Sequence, residues 1–439
     1  MQKALCKLFA IQPGEEQKAF MFAFLGFIWS LAATLGTKYS DALFLIHVGA
    51  NMLPKIYTFV SCGMIILSLV ILRAYYHLSA TRIFLTLVSI GIGFYAFTAL
   101  CLHMGIGTHT HWLWFALRIF SALFLYTMIT SFWTFIDQYH KISDAKHLFG
   151  LFASMIFLGS MTSGMIMRSG QCSVLQTLFL IVVLLSMTTY WIVRIAKKKN
   201  RVDENTIKEA EEALIPKKHS LGKLILSIFT SKYIRLIAIG NFLAFLLWVI
   251  AEYNYMSFFE ERFACHSTDI IGNEHSAAIT IFLGKCVSVT SVLNLFFGLF
   301  IYGRLVKRFG VGSVLLFTPL LYLLTFTGWV VNNSSILFPL LGFFVVEGTS
   351  EITEDSNLNL LLKAKPQQIK AIARVLIESV FEPLGMLTSG MLLSIPAINS
   401  KWIGLTLSLC AVMVALVVRW NYLRSTKDSN EKELIPQTC

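Results

Sequence analysis

Charge is scarce in this sequence. Only 14% of its 439 residues are Asp, Glu, Lys or Arg, while 56% are apolar. A soluble domain carries about 25% charged residues, so a water-soluble globule is excluded. Paired cysteines are also missing. The eight cysteines form no CxxC motif, and most lie inside apolar runs, where a free thiol acts as a small hydrophobe. Cys172 and Cys265 fall between runs, the one place where a disulfide has room to form. Catalytic signatures are lacking: there is no HExxH, no GxSxG, no Walker GxxxxGK and no GxGxxG opening a helix. The reading is therefore not an enzyme, with no cofactor. "HMGIGTHTH", holding His103, His109 and His111, has no nearby carboxylate, so no metal site is expected. No small-residue cleavage site closes the first apolar run, so no cleaved leader is expected.

What the chain has is length without polarity. Met52–Leu72, Ile83–Leu102 and Val174–Val193 are long apolar runs. Each suffices to cross a hydrocarbon core of about 30 Å as a helix. Twelve such spans are predicted, at 20–37, 52–72, 82–103, 112–136, 147–167, 174–195, 233–254, 276–302, 312–331, 335–355, 370–394 and 401–422. The fold class is thus an all-α polytopic membrane protein. Its expected partners are membrane lipid and a small solute, and a monomer is expected.

The net charge of +12 is distributed by side, which points away from nucleic acid. With the N-terminus inside, the inner segments hold 29 of the 36 Lys and Arg. Outer segments hold four: Lys38, Arg168, Arg262 and Lys401. This is the positive-inside pattern, and it predicts both termini in the cytoplasm. The long basic stretch Lys197–Lys223 divides the spans six and six. Its Asp203–Ala213 part has the composition of a short surface helix within a solvated linker. The expected organisation is a bundle at 1–196, a linker at 197–232, a second bundle at 233–422 and a polar tail at 423–439.

One phrase occurs twice. "LGSMTSGM" at Leu158–Met165 returns as "LGMLTSGM" at Leu384–Met391, an offset of 226 residues. "FLGF" at Phe24–Phe27 is echoed by "FLAF" at Phe242–Phe245, an offset of 218. Both echoes are in step with the spans, so the chain reads as two parallel six-helix repeats. Gly159 with Ser163, and Gly385 with Ser389, are small residues spaced i, i+4. Such pairs let helix backbones approach closely in lipid.

Ionisable groups inside spans are costly and face a cavity or each other. Lys55, Arg118 and Lys285 are the basic ones, and together they would attract a phosphate or carboxylate, Arg118 as a bidentate fork. Lys55 could instead snorkel to the outer interface. Glu252, Glu347, Glu351, Glu378 and Glu382 are candidates for proton coupling or for internal ion pairs. Glu378 and Glu382 should share a helix face, as should Glu347, Glu351 and Glu354 at i, i+4 and i+7.

"GRLVKRFG", Gly303–Gly310, resembles the G-x-L-x-D-R-x-G loop of the major facilitator superfamily, with Lys307 in place of its Asp. "TKYSDALFLIHVGANMLPKIY", Thr37–Tyr57, resembles the K-D…G…P…K stretch of the ATP/ADP translocases of plastids and obligate intracellular bacteria. "FWTFIDQYHKISDAKHLFGLF", Phe132–Phe152, resembles their W-x-F-x-N-E…E-A-K-R stretch, with Asp137 and Gln138 where the family has Asn-Glu. "AIARVLIESVFEPLG", Ala371–Gly385, is a fainter counterpart of a later segment, with Met386 where that family has a lysine. The resemblance implies a major-facilitator carrier in a bacterial inner membrane, moving a nucleotide or similar anion by alternating access. The expected substrate-binding residues are Lys55, Arg118 and Lys285, from their charge within spans, with Asp137 and Gln138 at the positions the resemblance marks. The alternatives are a proton-coupled carrier of another metabolite and a non-transporting sensor of the same fold.

Overall fold

The structure is a computed structural model describing residues 16–75, 77–106, 111–139, 142–197, 231–264, 273–362, 373–374, 376–397 and 399–433. The linker beyond Lys197, His109, Cys265 and the last six residues lie outside the described residues. All regular structure among the described residues is helical. In lipid this follows from the backbone, whose N–H and C=O groups must bond within the segment. Hydroxyls join in: Thr58, Thr98, Thr188 and Thr325 each donate to the carbonyl four residues back, so they cost little at membrane depth.

The first six helices are α1 (Glu16–His47), α2 (Leu53–Tyr75), α3 (Ala80–His103), α4 (His111–Asp137), α5 (Ile142–Ser169) and α6 (Val174–Lys197). α7 is Lys232–Ala264. α8 runs Asn273–Phe296, passes through a π-helical segment Phe297–Tyr302, and ends as Gly303–Phe309. α9 is Phe317–Val331, after a single turn Val311–Val314. α10 is Leu337–Phe344, a π segment Val345–Ser350, then Glu351–Leu362. α11 comprises the π segment Ile377–Phe381 and Glu382–Leu393, and α12 is Ser400–Glu433. Ten stretches among the described residues are long and apolar enough to span a membrane, and Leu337–Ser350 is a shorter apolar one. The chain is a multi-pass membrane protein.

Several helices outrun their expected ends, among them α12, which runs past 422 to Glu433. Span 1 was to stop at residue 37, but α1 continues to His47. Span 7 was to stop at 254, but α7 continues to Ala264. The hydropathy breaks are polar residues that find partners inside the fold. Lys38 is one of them: it is buried in α1, not in an outer loop.

The chain forms two compact units. The first comprises Met1–Met52, Ile66–Ile207 and Ser257–Leu299; the second comprises Leu53–Ile65, Lys208–Met256 and Phe300–Cys439. In the first unit α1 is buried along most of its length and packs on α4, α5 and α6, while α8 packs on α5. In the second, Tyr233, Ile234, Ile237 and Ala238 of α7 form a core with Leu358 and Leu361 of α10, Ile377 of α11 and Val418 of α12.

The repeated phrase is a repeated contact. A Cβ on Gly159 would lie 2.5 Å from the Phe27 carbonyl and 2.9 Å from the Leu31 nitrogen. A Cβ on Gly385 would lie 2.6 Å from the Phe242 carbonyl and 3.3 Å from the Leu246 nitrogen. Phe27 thus matches Phe242, and Leu31 matches Leu246, an offset of 215. The FLGF/FLAF echo, offset 218, is three residues out of this register, just under one turn. The second glycine of each phrase repeats the pattern. Gly164 meets Gly284 and Ser288 of α8, and Gly390 meets Pro54 and Thr58 of α2. Pro54 therefore matches Gly284, and Lys55 matches Lys285, an offset of 230.

Candidate functional site

A buried charge cluster joins α1 to α4. Arg118 Nε lies 2.6 Å from Asp41 Oδ1, and Lys38 Nζ lies 3.7 Å from Asp41 Oδ2. Asp41 is 2% exposed, Arg118 5% and Lys38 7%. The helix period explains the grouping: Lys38 and Asp41 are three residues apart on one face of α1. Hydroxyls hold the two helices at this level. Thr37 Oγ1 donates to the Ser121 carbonyl at 3.1 Å, and Tyr95 from α3 donates to Ser121 Oγ at 3.0 Å. Gly36 keeps room for that tyrosine, since a Cβ there would sit 2.3 Å from its oxygen. Nearby along α1, Ser160 of α5 bonds the hydroxyls of Ser30 and Thr34.

The second unit carries a separate polar group on α7 and α10. Glu252 is 1% exposed. Tyr255 donates to Glu347 Oε1 at 3.3 Å, and Ser400 donates to Asn254 Oδ1 at 2.9 Å. Glu347 lies in the π segment Val345–Ser350. Such segments interrupt the regular ladder and are frequent at functional sites.

The expected site residues do not all meet. Arg118 is central, but it is ion-paired to Asp41 rather than held open for a ligand. Asp137 ends α4 and is exposed, and Gln138 accepts from Thr81 at the start of α3. They stand 19 and 20 residues beyond Arg118, about 30 Å along a helix. Lys55 is exposed in the first turn of α2. Lys285 was expected deeper in its span, but its neighbour Gly284 packs on the Arg168 nitrogen in the last turn of α5. Lys285 is exposed, level with the last turn of α5.

Glu378 and Glu382 do not share the same surroundings. Ile377–Phe381 separates Glu378 from Glu382. Glu378 pairs with Arg374 at 2.5 Å and is partly exposed, while Glu382 is buried. Glu347 lies in the π segment Val345–Ser350, while the side chains of Glu351 and Glu354 lie outside the described residues.

Asp41 and Lys38 were not among the expected site residues. The signal was present in "TKYSD", a carboxylate and a lysine three apart directly before another apolar run. Glu260 was missed too. It accepts from the Ala50 N–H at 2.7 Å, beside Gly49, whose φ of +93° makes the α1–α2 turn.

No protein-family model matches the chain, and no curated protein does. Solved structures do. The nucleoside transporter NupG aligns over 93% of this chain and 99% of its own, at 13% identity and a TM-score of 0.58. The POT family transporter PepTSo aligns over 93% and 98%, at 12% identity and a TM-score of 0.63. The fold is of the major-facilitator type. These neighbours support that architecture but not the narrower likeness to ATP/ADP translocases.

Proposed function

We propose that this chain is a secondary transporter of a nucleotide or similar small anion, working by alternating access in a bacterial inner membrane. The observation that carries the reading is the buried Lys38–Asp41–Arg118 cluster. Two cations around one carboxylate, each under 10% exposed, are costly in a merely structural helix pair. An entering phosphate or carboxylate would compete with Asp41 for Arg118 and Lys38. Binding would then be an exchange of partners, with no bare cation left in the low-dielectric interior. NupG is named a nucleoside transporter and PepTSo a POT family transporter, which makes transport the expected use of this fold.

A proton-coupled carrier is the second reading, favoured by the buried Glu252 and by Glu347 with its tyrosine partner. The test is uptake into proteoliposomes of labelled ATP against a panel of anionic and neutral metabolites, with and without a proton gradient. Anion uptake that falls at least tenfold in Arg118→Ala, and is partly restored in Arg118→Lys, supports the site. Uptake of neutral solutes alone overturns the anion reading. No uptake of any solute overturns transport and leaves a sensor.

A further inference from the structure

The contact between α5 and α8 leaves a groove with a charged end. The two helices run antiparallel, because Gly164 meets Ser288 while Arg168 meets Gly284 and Gly170 meets Ile281. At about 100° per residue, Met165 and Arg168 of α5 then fall on the same side of the contact as Lys285, Val292 and Phe296 of α8. All five are exposed: Met165 by 49%, Val292 by 42% and Phe296 by 59%, with Arg168 and Lys285 beside them at one level. The side of α8 opposite this face is buried, through Leu283, Cys286 and Val287.

In a multi-pass membrane protein an exposed apolar stripe of this kind is covered by acyl chains. Its charged end supplies the second half of the argument. Two cations one helix apart, above an apolar floor, match a phosphate headgroup whose tails run down Val292 and Phe296. The repeat provides a contrast. Lys55 is the register mate of Lys285 on α2, but the mate of Arg168 on α11 is Ser394, so the equivalent groove has one cation.

We propose that the α5–α8 groove binds an anionic phospholipid, with Lys285 and Arg168 holding its headgroup. The leaflet is the one facing the turn between α5 and α6.

The test is native mass spectrometry of the full chain in detergent, titrated with phosphatidylglycerol or phosphatidylcholine. The parent should retain phosphatidylglycerol at lower concentration than phosphatidylcholine. Lys285→Gln and Arg168→Gln should each weaken phosphatidylglycerol binding about fivefold and leave phosphatidylcholine binding unchanged. Lys285→Arg should keep the preference. Equal affinity of the parent for the two lipids overturns the proposal. So does either Gln variant binding phosphatidylglycerol like the parent, and so does displacement of the lipid by an equal concentration of inorganic phosphate.

Discussion

Removing charge from the α1–α4 cluster should expose its asymmetry. At 2.6 Å the Asp41–Arg118 attraction is about 6 kcal/mol for an effective dielectric of about 20. Burial of both ions takes back several kcal/mol each, so the intact pair stabilises little. Breaking it is another matter, because a buried charge then loses its counter-ion, at about 3–5 kcal/mol. Arg118→Met leaves Asp41 with Lys38 at 3.7 Å, so its cost should sit near the lower figure. Asp41→Asn takes the carboxylate from two cations, so its cost should sit near the upper one. The double variant should cost less than the two singles together, by about 1–3 kcal/mol. The assay is reversible unfolding in mixed micelles of rising sodium dodecyl sulfate, read by the fluorescence of the nine tryptophans. Additive singles, or an Arg118→Met variant less stable than Asp41→Asn, would refute the reasoning.

Gly164→Ala and Gly390→Ala should each destabilise by 2 kcal/mol or more, roughly, because the new Cβ would lie 2.6 Å from Ser288 or Thr58; Gly93→Ala, which meets nothing within 4 Å, should be neutral or gain up to about 1 kcal/mol in the same unfolding assay. Ser160→Ala removes the hydroxyl 3.2 Å from Ser30 and 3.0 Å from Thr34, and should cost about 0.6 kcal/mol, the usual worth of such a bond between membrane helices. A cavity of about 70 Å³ lies among α7, α9, α10 and α12, lined in part by Ala411, Ala415 and Tyr322. Ala415→Val should fill it and raise the thermal midpoint, with a gain of about 0.5–2 kcal/mol; a lowered midpoint would show that the space is already used.

The architecture was legible because lipid imposes one rule on every span. Apolar runs of sufficient length become helices, and the doubled LGxxTSGM phrase marks the halves. Helix ends were less legible, because hydropathy counts a polar residue as a boundary whatever its partner. Lys38 and Asp41 read as loop residues until Arg118, 77 residues further on, turns out to face Asp41. Nor does an apolar run say where its neighbour ends, so the pairing of Lys285 with the last turn of α5 was not legible. Asp137 and Gln138 were placed by resemblance to a motif, which transfers residue type but not distance from Arg118.

The two halves repeat their packing and not their chemistry. At the offset of 215 that the glycine contacts establish, Thr37 corresponds to Glu252, Lys38 to Tyr253, Ser40 to Tyr255 and Asp41 to Met256. Neither member of the α1 charge pair has a charged counterpart, and the one buried carboxylate of α7 stands where α1 has threonine. The glycines behave differently. Gly159 and Gly385 each face one carbonyl and one backbone nitrogen at matching positions, as do Gly164 and Gly390 in their own contacts. A glycine at close backbone approach has no substitute that fits, so duplication leaves it in place in both halves. A polar side chain at the centre of a span is retained only where something answers it. A small solute without two-fold symmetry answers the two halves differently. Equal scaffolds with unequal charges are what the proposed transport of such a solute predicts for the two halves.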